Sequence, residues 1–216
     1  DEIICDESAH IYQYEGGGIA FNSGASVKLI HGDRGRINAS QVLQAIQPDD
    51  VHRPHTSLVA LENTSNRGGG SCYSFNEFRA IKQVCTTHGL GFHLDGARIW
   101  NALVAKKENT REYGEVFDSI SVCLSKSLGC PVGSLLIGKN DFIKKAKRVR
   151  KVFGGGMRQA GFMAAAGIYA LEHHIERLRE DHLHATAIAE AIASTSFVKM
   201  MLPVETNIII FELDKS

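Results

Sequence analysis

Apolar residues along the chain follow two alternating rhythms. Short apolar runs at residues 2–5, 27–30, 57–61, 91–94, 119–124, 134–137 and 206–211 predict strands. Several are nearly continuous, as in strands covered on both faces. Between them the apolar positions take helical spacing. Residues 38–46 open on a polar cap and carry Val42, Leu43 and Ile46. Residues 75–87 carry Phe78, Ile81, Val84 and Cys85 and stop before Gly89, a residue suited to the left-handed turn that ends a helix. Residues 141–152 predict a basic helix. Residues 158–193 predict a long alanine-rich helical stretch with room for one break. Strands alternating with helices over this length predict an α/β layered fold with a mostly parallel central sheet and helices on both faces. In such sheets ligands bind beyond the carboxyl ends of the strands. That rule selects residues 6–10, 62–66, 95–98 and 125–128.

Composition narrows the classes. The 216 residues suffice for one domain of ordinary size with a real core. Apolar residues make up 44% and charged residues 22%, as in soluble globular proteins. Lysine plus arginine equals aspartate plus glutamate at 24 each, so no net field points to nucleic acid or to a membrane surface, and neither partner is expected. The one basic run, Lys144, Lys145, Lys147, Arg148, Arg150 and Lys151, reads as the solvated face of a helix, with a polyanion site as the alternative. Five cysteines, an odd number with no metal-ligand spacing, are expected to be reduced, which favours the cytosol, and no bound metal is expected. No apolar run approaches the roughly 18 residues of a membrane span. The chain opens on a strand in progress and stops just after another, as expected of a large domain truncated at both ends.

Four segments carry candidate chemistry. Asp95 ends an apolar strand at His93-Leu94-Asp95-Gly96-Ala97-Arg98. It could keep a cofactor's ring nitrogen protonated, as an electron sink requires, or simply cap a helix. Lys126 follows the run 119–124 directly and is flanked by Ser125 and Ser127. A lysine desolvated at a strand end has a lowered amine pKa suited to a Schiff base; a surface lysine after a buried strand is the alternative. Gly154, Gly155 and Gly156 before Arg158 would let backbone approach an anion at a helix start, or would serve as a hinge. His10, after the first strand, could lie flat on a planar cofactor or be an ordinary turn histidine.

Taken together and in order, residues 93–98, 123–134 and 154–161, with Glu62-Asn63-Thr64 and Asn66, resemble the low-specificity L-threonine aldolases over essentially the whole chain. The resemblance implies an aspartate-aminotransferase-like, fold type I large domain, here residues 1–200 without its N-terminal part, with 201–216 opening a small C-terminal domain. It implies pyridoxal 5'-phosphate as cofactor, an amino-acid substrate, and a homo-oligomer, usually a tetramer with sites at subunit interfaces. It implies Lys126 as the Schiff-base lysine and Asp95 as partner of the pyridine nitrogen. Arg98 would lie near the phenolic oxygen and the substrate carboxylate, His10 would stack on the ring and could act as the base, and Arg158 would be an active-site arginine near the phosphate. The implied reaction cleaves L-threonine or L-allo-threonine to glycine and acetaldehyde. Two departures stand out. Ser65 occupies a position where the family often has a histidine that contacts the substrate; a serine there could still hydrogen-bond a substrate hydroxyl. The family's glycine-threonine phosphate loop and a late carboxylate-binding arginine fall outside residues 1–216. A β-eliminating lyase on another amino acid and a catalytically incomplete fragment are the rival readings.

Overall fold

The computed structural model describes residues 1–214. Six strands form the central sheet: β1 (Glu2–Asp6), β2 (Ser26–Ile30), β3 (Thr56–Glu62), β4 (Gly91–Gly96), β5 (Ser119–Cys123) and β6 (Ser134–Gly138), in the order β2-β1-β3-β4-β5-β6. All neighbouring pairs are parallel except β5 and β6. The helices between them are α1 (His10–Gln13), α2 (Gly18–Ser23), α3 (Ala39–Ala45), α4 (Phe75–His88), α5 (Ile99–Lys106) and α6 (Thr110–Val116). After β6 come α7 (Asn140–Val152), α8 (Gly161–His173) and α9 (Leu178–Ala193), then a separate two-stranded sheet of β7 (Val198–Met201) and β8 (Phe211–Leu213). The long stretch expected over 158–193 is therefore two helices, parted at residues 174–177.

Local sequence explains the better-defined ends. Asn38 and Ser74 each form a capping box, with Gln41 and Glu77 bonding back to the cap's own N–H. Such a cap is worth about 1 kcal/mol. Gly89 ends α4 at φ 68°, the left-handed conformation that costs glycine least.

Alternation along the strands divides the sheet into two faces. Ile4, Val59, Leu61, Phe92, Leu94, Ile120 and Val122 point into the main core, against Val42, Phe78, Ile81, Cys85, Tyr113 and Phe117 from the helical layer. The Phe92 and Phe117 rings stack with centroids 4.4 Å apart. Burying each such side chain contributes about 1.5–3 kcal/mol. The opposite face carries Cys5, Ala9 and Ala60 in a smaller cluster. Further along it, by the same alternation, lie Glu62, His93, Asp95, Ser119 and Ser121. At the far edge β6 exposes Leu135, Leu136 and Ile137, and α7 buries no residue.

The strand expected over 206–211 is corrected. Only Phe211–Leu213 pairs, with β7, a strand the apolar pattern did not reveal. Residues 203–207 are committed elsewhere. Pro203 O accepts from Arg34, Glu205 pairs with Arg34 and, at 3.2 Å, with Lys106, and the fully buried Thr206 donates its hydroxyl to Gly70 O at 3.0 Å. A Cβ on Gly70 would lie 2.3 Å from Thr206 Oγ1, so the close approach needs glycine at that position, where φ is +71°.

Candidate active site

Because β1, β3, β4 and β5 are neighbours and parallel, the turns that follow them line up along one edge of the sheet, about 4.8 Å apart from strand to strand. Asp95 stands at the carboxyl end of β4, Arg98 and Lys126 in the turns after β4 and β5, Ser65 in the loop after β3, and His10 at the start of α1, just after β1. Arg158 is on none of these turns. It is exposed in the turn between α7 and α8.

Buried carboxylates hold the first two turns. Asp6 Oδ1 accepts the Ser8 N–H and Oδ2 the Gly32 N–H, each at 2.8 Å. Glu62, 5% exposed, spans two loops: Oε2 accepts the His10 N–H at 3.3 Å and Oε1 the Asn66 N–H at 3.1 Å. Burial pushes the Glu62 carboxyl above its ordinary range; the Asn66 N–H opposes this and nearby Asp95 adds to it. His10 Nδ1 lies 3.1 Å from Glu15, and its ring is 5.2 Å from that of Tyr14.

Glu62 and Asp95 are direct partners in the β3–β4 register. Asp95 Oδ1 accepts the Ala97 N–H at 3.0 Å, which fixes the turn into α5; Oδ2 has no partner among the described residues. Gly96 permits this turn. A Cβ there would sit 2.8 Å from the Ser121 carbonyl oxygen. Arg98, half-buried at the start of α5, forms no ion pair among the described residues.

Of the two readings of Lys126, a desolvated lysine at a strand end and a surface lysine, the structure shows the second. Strand β5 stops at Cys123, and a turn carries Lys126 beyond it into an exposed position. Three backbone bonds close that turn: Leu124 N–H to Gly133 O at 3.0 Å, Gly129 N–H to Lys126 O at 2.9 Å, and Cys130 N–H to Leu124 O at 3.2 Å. Ser65 differs from expectation. It is 1% exposed, its Oγ accepts the Gly68 N–H at 3.3 Å, and a Cβ on Gly35 would lie 2.0 Å from that oxygen. The hydroxyl is enclosed by backbone and offers nothing to an open cleft.

Three residues that the sequence did not single out converge behind Lys126. Asn101 Nδ2 and Asn207 Nδ2 both donate to Ser127 Oγ, at 2.9 and 3.3 Å, and His182 Nε2 lies 3.0 Å from Asn101 Oδ1. An asparagine among the apolar residues of α5 was the available signal. Nucleophilic chemistry by Cys5, Cys72 or Cys85 is disfavoured, since burial pushes these three thiols up to about 12. Among the described residues no group of three or more His, Cys, Asp or Glu side chains is placed to hold a metal ion, and no helix is long and apolar enough to cross a membrane.

The sequence pattern of the beta-eliminating lyases matches residues 1–216. The chain belongs to this family. It is 42% identical to the low specificity L-threonine aldolase of Escherichia coli (strain K12) over 193 residues, 89% of this chain and 57% of that protein. It is 38% identical to the low-specificity L-threonine aldolase of Candida albicans, over 98% of this chain and 56% of the other. A solved threonine aldolase structure from Leishmania major shares the fold at a TM-score of 0.84 and 23% identity, over 97% of this chain and 62% of that one. The architecture is thus that of fold type I, and the chain spans about half the length of the curated relatives it matches.

Proposed function

We propose that this family member forms part of the active site of a pyridoxal 5'-phosphate-dependent aldehyde-lyase that cleaves L-threonine and L-allo-threonine to glycine and acetaldehyde. The observation that carries the reading is the placement of Asp95 at the carboxyl end of β4 and of Lys126 in the turn beyond the adjacent parallel strand β5, with Arg98, which forms no ion pair among the described residues, in the turn that follows Asp95. The names of the aldolase relatives support the choice of reaction.

The donor set fits the cofactor. Asp95 has one oxygen spent on the Ala97 N–H and the other free, so a ring N–H can be held without disturbing the turn. Lys126 supplies the exposed tethering amine. Bound there, pyridoxal phosphate supplies an electron sink for the pair left on Cα when the Cα–Cβ bond breaks. Arg98 offers its planar guanidinium to the substrate carboxylate. The Glu15 carboxylate draws the His10 N–H to Nδ1, leaving Nε2 with the lone pair that takes the β-hydroxyl proton. Arg158 is assigned to the phosphate on the likeness of residues 154–161 alone.

We further read residues 201–214 as the opening of a second domain. The protein is read as a cytoplasmic homo-oligomer, supported by five unpaired cysteines and by exposed apolar side chains such as Phe162, 91% exposed. The match to the beta-eliminating lyase pattern favours β-elimination from another amino acid as the second reading. Incubating the holoprotein with both threonine diastereomers separates the two. Acetaldehyde and glycine in equal amounts support aldol cleavage, whereas pyruvate and ammonia establish the elimination.

A further inference from the structure

A buried carboxylate on β3 holds the turn that carries His10. Helix α1 has four residues, and the first N–H groups of a helix find no partner within it. Ala9, just before it, has no side-chain oxygen to cap them. Among the described residues the His10 N–H meets one acceptor, Glu62 Oε2 at 3.3 Å. Glu62 Oε1 takes the Asn66 N–H at 3.1 Å, again the one acceptor that group meets. Glu62 is 5% exposed, forms no ion pair among the described residues, and has Asp95 as its direct partner in the β3–β4 register. A buried carboxylate without a cation is costly. A neutral amide of the same size would avoid that cost, but it has one acceptor oxygen where a carboxylate has two. Holding two N–H donors from two loops at once is what the carboxylate alone can do. The His10 ring is arranged within its own segment, with Nδ1 3.1 Å from Glu15 and ring centroids 5.2 Å from Tyr14. Residues 10–15 thus set their own side chains, and Glu62 sets where that unit stands against β3.

We propose that Glu62 is a positioning residue for the reaction: by accepting the His10 N–H while tied to the Asn66 loop, its carboxylate fixes the place from which the His10 imidazole reaches the substrate. This rests on the reading of His10 as the base. Glu62 touches neither substrate nor cofactor, and its effect on turnover passes through His10.

The test is a double-mutant cycle on the holoprotein: wild type, Glu62→Gln, His10→Ala and the two together, each assayed for acetaldehyde release from L-threonine and titrated with pyridoxal phosphate by absorbance. Glutamine keeps one acceptor oxygen. It stays with the shorter bond, to Asn66, and the NH2 group then faces the His10 N–H. A lost hydrogen bond to a charged group corresponds to roughly 10- to 100-fold, and kcat of Glu62→Gln falls by that factor. KM for L-threonine and the affinity for pyridoxal phosphate stay within about threefold of wild type, because the groups that bind them are untouched. In the His10→Ala background Glu62→Gln costs nothing further, since the residue it acts through is gone. An equal loss in both backgrounds would overturn the proposal, and so would an unchanged kcat in Glu62→Gln alone. If Glu62→Gln binds no pyridoxal phosphate, Glu62→Asp replaces it in the cycle, keeping the charge and drawing the carboxylate back from the His10 N–H. Loss of cofactor binding in both variants would show that Glu62 serves the whole fold, and would overturn the proposal. Wild-type kcat in His10→Ala would refute the reading of His10 as the base, and this assignment with it.

Discussion

Asp95→Asn separates the structural work of this carboxylate from its chemical work. Oδ1 accepts the Ala97 N–H at 3.0 Å, and the asparagine carbonyl oxygen can make the same bond. The turn from β4 into α5 should therefore survive, and apo-protein stability should change by less than about 0.5 kcal/mol, as for substitutions that spare buried interactions. Oδ2 is different. It is the free acceptor, and in the variant an NH2 group takes its place and cannot hold a ring N–H. A hydrogen bond between two charged groups is worth about 1.5–3 kcal/mol, so kcat should fall by roughly 10- to 100-fold from that bond alone. Loss of the ring proton weakens the electron sink and lowers kcat further. The assay is steady-state acetaldehyde release from L-threonine, paired with thermal melting of the apo-protein. A kcat within about threefold of wild type would refute the assignment of Asp95. A large drop in apo stability would show that the aspartate serves the fold and not the chemistry.

Two further outcomes follow from the same geometry. The Glu62 carboxyl is raised above its ordinary 4.5, so between 4.5 and the raised value the folded state binds more protons than the unfolded state, and stability falls as pH rises through that window. Urea unfolding across pH should show this fall in wild type and a flatter profile in Glu62→Gln; a wild-type-minus-variant difference that does not vary with pH would contradict it. Gly96→Ala places a methyl group 2.8 Å from the Ser121 carbonyl oxygen and should cost about 1–3 kcal/mol through forced separation of β4 and β5. An unchanged midpoint in chemical denaturation would show that the two strands are less closely joined than the structure has them.

Much of the fold was legible because local and global signals agreed. The six sheet strands were marked by apolar runs bounded by turns, α3 by a polar cap and helical apolar spacing, and α4 by the same spacing and the glycine that ends it. The turns after β1, β3, β4 and β5 were legible as a site because a parallel sheet leaves no other edge for them. What escaped depends on distant pairing. Residues 206–210 look like a strand, but Thr206 and Glu205 are held by Gly70, Arg34 and Lys106, more than 95 positions away in sequence. Whether Lys126 stands exposed and Ser65 enclosed was settled by backbone closure around the 124–130 turn and around Gly35 and Gly68. Periodicity carries no record of such closure. Asn101, His182 and Asn207 meet at Ser127 from three different parts of the chain, and no local motif announces them.

The central claim is that Lys126 tethers the cofactor. Borohydride reduction of the protein loaded with pyridoxal phosphate, followed by peptide mass mapping, tests it directly, because reduction fixes the label on whichever amine holds the cofactor. The account predicts one phosphopyridoxyl group per chain, on the peptide containing Lys126, and none in Lys126→Ala. Label on a different lysine, or undiminished labelling in Lys126→Ala, would contradict it.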